Sequence, residues 1–198
     1  MDPMAPKEGI ASVPGALAWQ LDARLRETPT DADSFARAVD ARVDEISAAR
    51  SQPARLLAML SEAAPLLRIA GRLDEARKTA SAAIALAELV EDPRAVFVNQ
   101  VALAQVMQWQ GNFDISTPLF DQLIAQARSI PIYAEFLEGV LFDAGRNLFE
   151  QARYAEAARF FRDSQGLRRA SGMDHLLEMS AEALRRTNQA STERDRHS

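Results

Sequence analysis

Apolar residues recur at helical spacing along almost the whole chain, and proline and glycine interrupt the recurrence at regular places. Leu17, Leu21 and Leu25 stand four residues apart and predict a first helix over about Pro14 to Glu27, ended by Thr28-Pro29-Thr30. Phe35, Val39, Val43 and Ile46 form the apolar stripe of a second helix over about Asp31 to Arg50, with Asp31 or Asp33 as its cap. Seven more helices are expected at about 53–70, 73–90, 93–110, 114–128, 131–150, 153–169 and 173–186. No segment calls for a strand. Residues 1–11 and 188–198 lack an apolar period and are expected to be disordered.

The interruptions keep a fixed beat. Pro53 precedes Gly71 by 18 residues, Pro93 precedes Gly111 by 18, and the two pairs lie 40 residues apart. Pro131 opens a third unit, with Ala152 where the glycine should stand. Proline favours the first helical turn and glycine the residue just past a helix end, so each interval is one helix of about five turns. A period of this size marks a helical repeat array. The expected organisation is two N-terminal helices over 12–50 packed on the array, then repeats at 51–91, 92–130 and 131–170 and a C-terminal capping helix up to 187. Ser51 and Asp92 are placed to cap the first helices of repeats one and two.

The junctions inside the hairpins also align: Gly71-Arg72-Leu73-Asp74-Glu75-Ala76, Gly111-Asn112-Phe113-Asp114-Ile115-Ser116 and Ala152-Arg153-Tyr154-Ala155-Glu156-Ala157. Together with the small residues Ala64, Ala104 and Gly145 and the later aromatics Phe120 and Phe161, they make the chain resemble the tetratricopeptide repeat (TPR) family, in its variety with a period near 40. The resemblance covers roughly residues 53 to 187. It implies an all-α, right-handed α-solenoid of antiparallel helical hairpins, about nine helices in total. Small residues let the two helices of a hairpin approach, and a large neighbour fills the gap beside them. Five positions depart from the pattern. Ser116 with Pro118 suggests a late helix start, Pro65 should free the Ser61 carbonyl and bend its helix, Ala80 stands where an aromatic belongs, and Ala152 replaces glycine.

Charge and chemistry narrow the function. With 23 basic against 28 acidic residues the formal charge is -5, the wrong sign for a general nucleic-acid or anionic-membrane binder. Ala95 to Phe113 carries no charge for 19 residues, but Asn99, Gln100, Gln105, Gln108, Gln110 and Asn112 are too many amides for a membrane span. Without cysteine, thiolate chemistry and Cys-ligated zinc are excluded, and the absence of a signal-like start favours a cytoplasmic protein. No phosphate loop, nucleophile elbow or His-Glu-x-x-His pair occurs, and of the histidines only His175 lies in an expected helix, His197 falling in the tail. No enzyme activity, metal or cofactor is therefore expected.

What remains is binding. In the resembled family, the face of each first helix that turns away from its hairpin partner lines a concave surface holding a peptide or partner segment. Carried over, that surface comprises Glu62 and Arg68 in repeat one, Val98, Ala102, Gln105 and Trp109 in repeat two, and Phe142, Asp143, Arg146 and Phe149 in repeat three. Amides pair with an extended backbone, aromatics supply buried area and arginine takes a carboxylate. The family's Lys and Asn clamp for a chaperone C-terminus is absent. Helix 93–110 is apolar nearly all round, which fits either a helix sandwiched in the stack or a ligand-lining one. Arg153, Arg159, Arg162, Arg168 and Arg169 form either a solvated surface or a contact for an acidic partner, and the last helix either caps the array or forms a homodimer. The expected function is a protein-interaction module; the alternative is a regulatory sensor whose groove takes an effector and changes the curvature of the stack.

Overall fold

The structure, a computed structural model, describes residues 15–49 and 51–197. Among them, eight α-helices follow a short hairpin: β1 (Trp19–Leu21), β2 (Glu27–Pro29), α1 (Ala32–Ala48), α2 (Pro53–Ile69), α3 (Leu73–Leu89), α4 (Pro93–Trp109), α5 (Phe113–Ser129), α6 (Leu137–Glu150), α7 (Tyr154–Ala170) and α8 (Asp174–His197). Each helix packs on the next from α1 to α8, and α2 also meets α4, and α4 meets α6. The fold is an all-α helical repeat array, with α2, α4 and α6 as a ladder of first helices and α3, α5 and α7 as their partners. No helix among the described residues is long and apolar enough to cross a membrane.

The proline and glycine beat has a common geometry. Pro53 and Pro93 begin α2 and α4. Gly71, Gly111 and Gly172 sit at φ +77, +76 and +69, and Ala152 takes the same left-handed conformation at φ 56. That conformation turns the following N–H back onto the helix end: Arg72 N donates to the Leu67 carbonyl, Asn112 N to Met107, Arg153 N to Leu148 and Met173 N to Arg168, at 2.9 to 3.0 Å. Alanine makes the same turn as glycine here, at a steric cost of about 1–2 kcal/mol.

Close approach within the hairpins follows the small residues. An added Cβ at Gly145 would lie 2.7 Å from Phe161, which is fully buried. Ala104 and Phe120 share one buried cluster. Ser116, the polar departure, is buried and donates to Asn147 Oδ1 at 2.6 Å, while Asn147 Nδ2 donates to Thr117 at 2.9 Å. The hydroxyl therefore ties α5 to α6.

Several expectations need correction. The helix expected over Pro14 to Glu27 is a 3-10 turn (Gly15–Leu17) followed by the antiparallel pair β1 and β2, in register Trp19 to Pro29 and Leu21 to Glu27. Asp22 supplies the turn: its carboxylate accepts from the N–H groups of Arg24 and Arg26, both at 2.8 Å. The cap of α2 is Gln52 without a side-chain bond, not Ser51, whereas Asp31 and Asp92 cap α1 and α4 through Ser34 N and Ala95 N. Helix α5 starts at Phe113 rather than late, and Pro118 lies inside it, itself exposed to water between half-buried neighbours.

The helix expected over 131–150 is split into a 3-10 turn (Pro131–Phe136) and α6. Residues three apart eclipse in a 3-10 turn. Tyr133 and Phe136 thereby both stack on Phe97, at 4.6 and 5.4 Å between ring centroids. The tail expected to be disordered from 188 continues α8 to His197, supported by Gln189 donating to Glu193 and Arg194 donating to the Ala152 carbonyl. The expected disorder of residues 1–11 lies outside the described residues.

Candidate functional site

The ladder of α2, α4 and α6 presents one face to the N-terminal hairpin, and the two ends of that face differ. At the C-terminal ends of the three helices the hairpin fills it. Glu27, at the start of β2, reaches between Arg68 of α2 and Arg146 of α6: Arg68 Nη1 donates to its carboxylate at 2.8 Å, Arg146 Nη1 at 2.8 Å, and Arg146 Nη2 makes a second, shorter bond. Arginines two steps apart on the ladder thus meet at one carboxylate. The preceding residue points the other way in charge: Arg26 donates through Nε and Nη2 to Glu150 of α6 and through Nη1 to the Trp109 carbonyl at 3.3 Å. Both Arg26 and Arg68 place a guanidinium over the Trp109 ring, 5.1 and 4.5 Å from its centroid. Behind the turn, Arg186 of α8 donates to the Asp22 carbonyl at 2.5 Å.

These charges are buried, with Arg68 and Arg146 each 3 % exposed and Glu27 8 % exposed. Burial alone would raise the Glu27 pKa. The adjacent Arg146 and Arg68 charges overcome it and hold the carboxyl well below the usual carboxylate range. Arg146 shows the mirror image: burial disfavours its charge, and the attraction of Glu27 more than restores it. Asp143, one turn before Arg146, goes the other way. Burial pushes it upward and Glu27 adds to the rise, against the opposing pull of Arg146, Arg68 and the Gln105 amide.

Toward the other end the face is open. Ser61 and Pro65 of α2, Phe97, Val98, Val101, Ala102 and Gln105 of α4, Glu135 and Phe136 of the 3-10 turn, and Glu138, Gly139, Val140 and Asp143 of α6 line a cavity of about 280 Å³. Its walls are mainly apolar. Gln105 Nε2 donates to Asp143 Oδ2 at 2.6 Å at its floor, and Arg146 Nη1 contacts the other Asp143 oxygen at 3.4 Å. One chain of contacts, Gln105 to Asp143 to Arg146 to Glu27, therefore runs from the open end to the filled one.

The ten residues expected on the face divide accordingly. Val98, Ala102, Gln105 and Asp143 line the open cavity. Arg68, Trp109 and Arg146 hold the chain's own hairpin. Phe142 is core, tilted against Phe161 at 5.3 Å and covered by the Arg168 guanidinium. Phe149 packs at the edge of the same cluster, which also contains Leu25 of the hairpin tip. Glu62 is exposed and lines neither end. Of the expected basic set, Arg153 pairs with Glu156 and Arg168 is buried against Glu138, Leu176 and Ser180, while Arg159, Arg162 and Arg169 are exposed. Of the histidines, the side chains of His175 and His197 lie outside the described residues.

Sequence reasoning found the arginines and missed their ligand. Glu27 sits 119 residues from Arg146, and nothing local marks it as the partner. Phe97, Val101 and Phe136 of the open end also went unselected, although the alternation of apolar residues all round α4 contained the first two. No protein-family model matches the chain, and a search of curated proteins returns no similar sequence.

Proposed function

We propose that the chain is a non-catalytic protein-interaction module of TPR-like architecture, which receives an apolar side chain of an extended partner segment in the open end of the α2, α4 and α6 face. The cavity of about 280 Å³ carries this reading. It is shared by three successive ladder elements and is apolar on most sides, and its polar groups Gln105 and Asp143 are already paired with each other, which suits an apolar side chain. Val98, at its mouth, is 41 % exposed. A residue of this type left in water beside a concave apolar wall favours a site that a partner covers.

Panning a displayed peptide library against the wild-type protein and against Ala102→Trp, which fills the cavity, tests the reading. Peptides with an apolar anchor that enrich on the wild type and lose at least tenfold in affinity on the variant are expected. Equal binding to both proteins removes the cavity as the site. A regulatory sensor is the second reading, and the docked hairpin favours it: an effector that lifts residues 19–29 would uncover the rest of the face and relax the stack. Small-angle scattering with and without such an effector measures that change.

A further inference from the structure

The hairpin tip is a strained ligand in a site shaped for charge. Leu25 adopts φ 62, a left-handed conformation that leucine takes only against steric resistance, and it does so while completely buried. Strain of this kind persists where surrounding contacts over-determine it, and it clusters at functional sites. The receiving side is also incompletely matched. The Nε groups of Arg68 and Arg146 are buried without an acceptor, although the terminal nitrogens of both arginines converge on Glu27. A hairpin of two three-residue strands has little stability of its own, so its docking depends on this face.

The site nonetheless reads its occupant in order. An apolar well in the cluster of Phe142 and Phe161 takes Leu25, Glu150 with the Trp109 ring takes the cation of Arg26, and Arg68 with Arg146 takes the carboxylate of Glu27. Reversing the last two residues would set an acid against Glu150 and a base against two arginines.

We propose that the Arg68, Trp109 and Arg146 end is a carboxylate-recognition site for a segment of a separate protein carrying an apolar, a basic and an acidic residue in succession. Residues 25–27 of this chain occupy it as a built-in competitor. A further acceptor on a partner segment satisfies the idle Nε groups of Arg68 and Arg146, which the hairpin leaves without one. That difference favours the partner over the hairpin once it is present. The inference shares with the interaction reading only the idea that this ladder face binds protein.

Fluorescence anisotropy on the full chain tests it, with a labelled peptide of residues 18–30 as the probe. The Glu27→Ala protein, whose hairpin is loosened, is expected to bind the peptide at least tenfold tighter than the wild type does. A peptide carrying Arg26→Glu and Glu27→Arg together should bind that protein at least tenfold more weakly. A folded Glu27→Ala protein that ignores the peptide, or binds both versions alike, overturns the proposal. Should that protein lose its helical circular-dichroism signal, hydrogen exchange on the wild type decides: saturating peptide must speed exchange over the chain's own residues 19–29, and unchanged exchange overturns the proposal. A concentration-dependent dimer in sedimentation would assign the occupant to a second copy and overturn the separate partner. Adding Ala102→Trp to Glu27→Ala should leave peptide affinity within twofold, which separates failure at the cavity from failure here.

Discussion

The two ends of the ladder face are built by the same three helices and solve opposite problems. At one end, charged residues from the last turns of α2 and α6 are buried, and each needs a fixed counter-charge because an isolated ion out of water is very costly. The hairpin brings that counter-charge, so this end is closed. At the other end, α2, the middle of α4, the first half of α6 and the 3-10 turn offer carbon surface around a cavity, which loses only packing when left open. A repeat array can thus leave an apolar site vacant for a partner, but a buried ionic one must be occupied from the start.

The contrast can be broken most strongly at Glu27. Glu27→Ala leaves Arg68 and Arg146 without their shared acid, and removing one member of a buried ion pair costs about 3–5 kcal/mol. Urea unfolding followed by circular dichroism measures it. Acid achieves part of the same loss. Because its folded pKa is depressed below the ordinary 4.5, Glu27 contributes stability that is present above 4.5 and lost as pH falls below it. Asp143 is raised instead, so its contribution is present below its ordinary 3.8 and lost as pH rises through its elevated value. The two acids therefore oppose one another. The chain has two tryptophans, Trp19 in the hairpin and Trp109 beneath it, so their emission should shift to the red only as the pH falls far below 4.5, while the helical signal persists.

Gly145→Ala comes next. The new methyl would meet the Phe161 ring at 2.7 Å and displace α6 just before Arg146, for a loss of about 1–3 kcal/mol in the same urea assay. Smallest is Val98→Ser at the open end. Exposed and without a buried partner to orphan, it should change stability by no more than about 0.5 kcal/mol. Equal losses at Val98 and Glu27 would erase the distinction between the ends.

Much of the scaffold was legible because it is local. Pro53, Pro93, Gly71 and Gly111 write their own conformations into the chain, and Gly145 opposite Phe161 follows from the close approach those turns impose. Ala152 shows that the turn geometry outranks the residue, since alanine adopts what glycine would. The hairpin was misread because Leu17, Leu21 and Leu25 satisfy the helical period, while their actual environments are set from far away, by Arg146 on Glu27 and Arg186 on Asp22. Two local signals did exist: Trp19 and Leu21 alternate as a strand does, and Asp22 is suited to a turn. The helical tail was missed for a different reason. An apolar period was demanded of a segment that is held by side-chain pairs four apart and contains neither glycine nor proline from Asp174 onward.

Of the residues chosen for the site, helix register was enough to place Arg68, Trp109 and Arg146 on one face. It could not reveal that the chain itself supplies what they bind. A double-mutant cycle with Glu27→Ala and Arg146→Ala in the full chain, read by urea unfolding, tests that claim most directly. Self-occupation of the face predicts a coupling of at least about 2 kcal/mol between residues 119 positions apart. Losses that add to within about 0.5 kcal/mol would contradict it, and with it the division of the face into a closed and an open end.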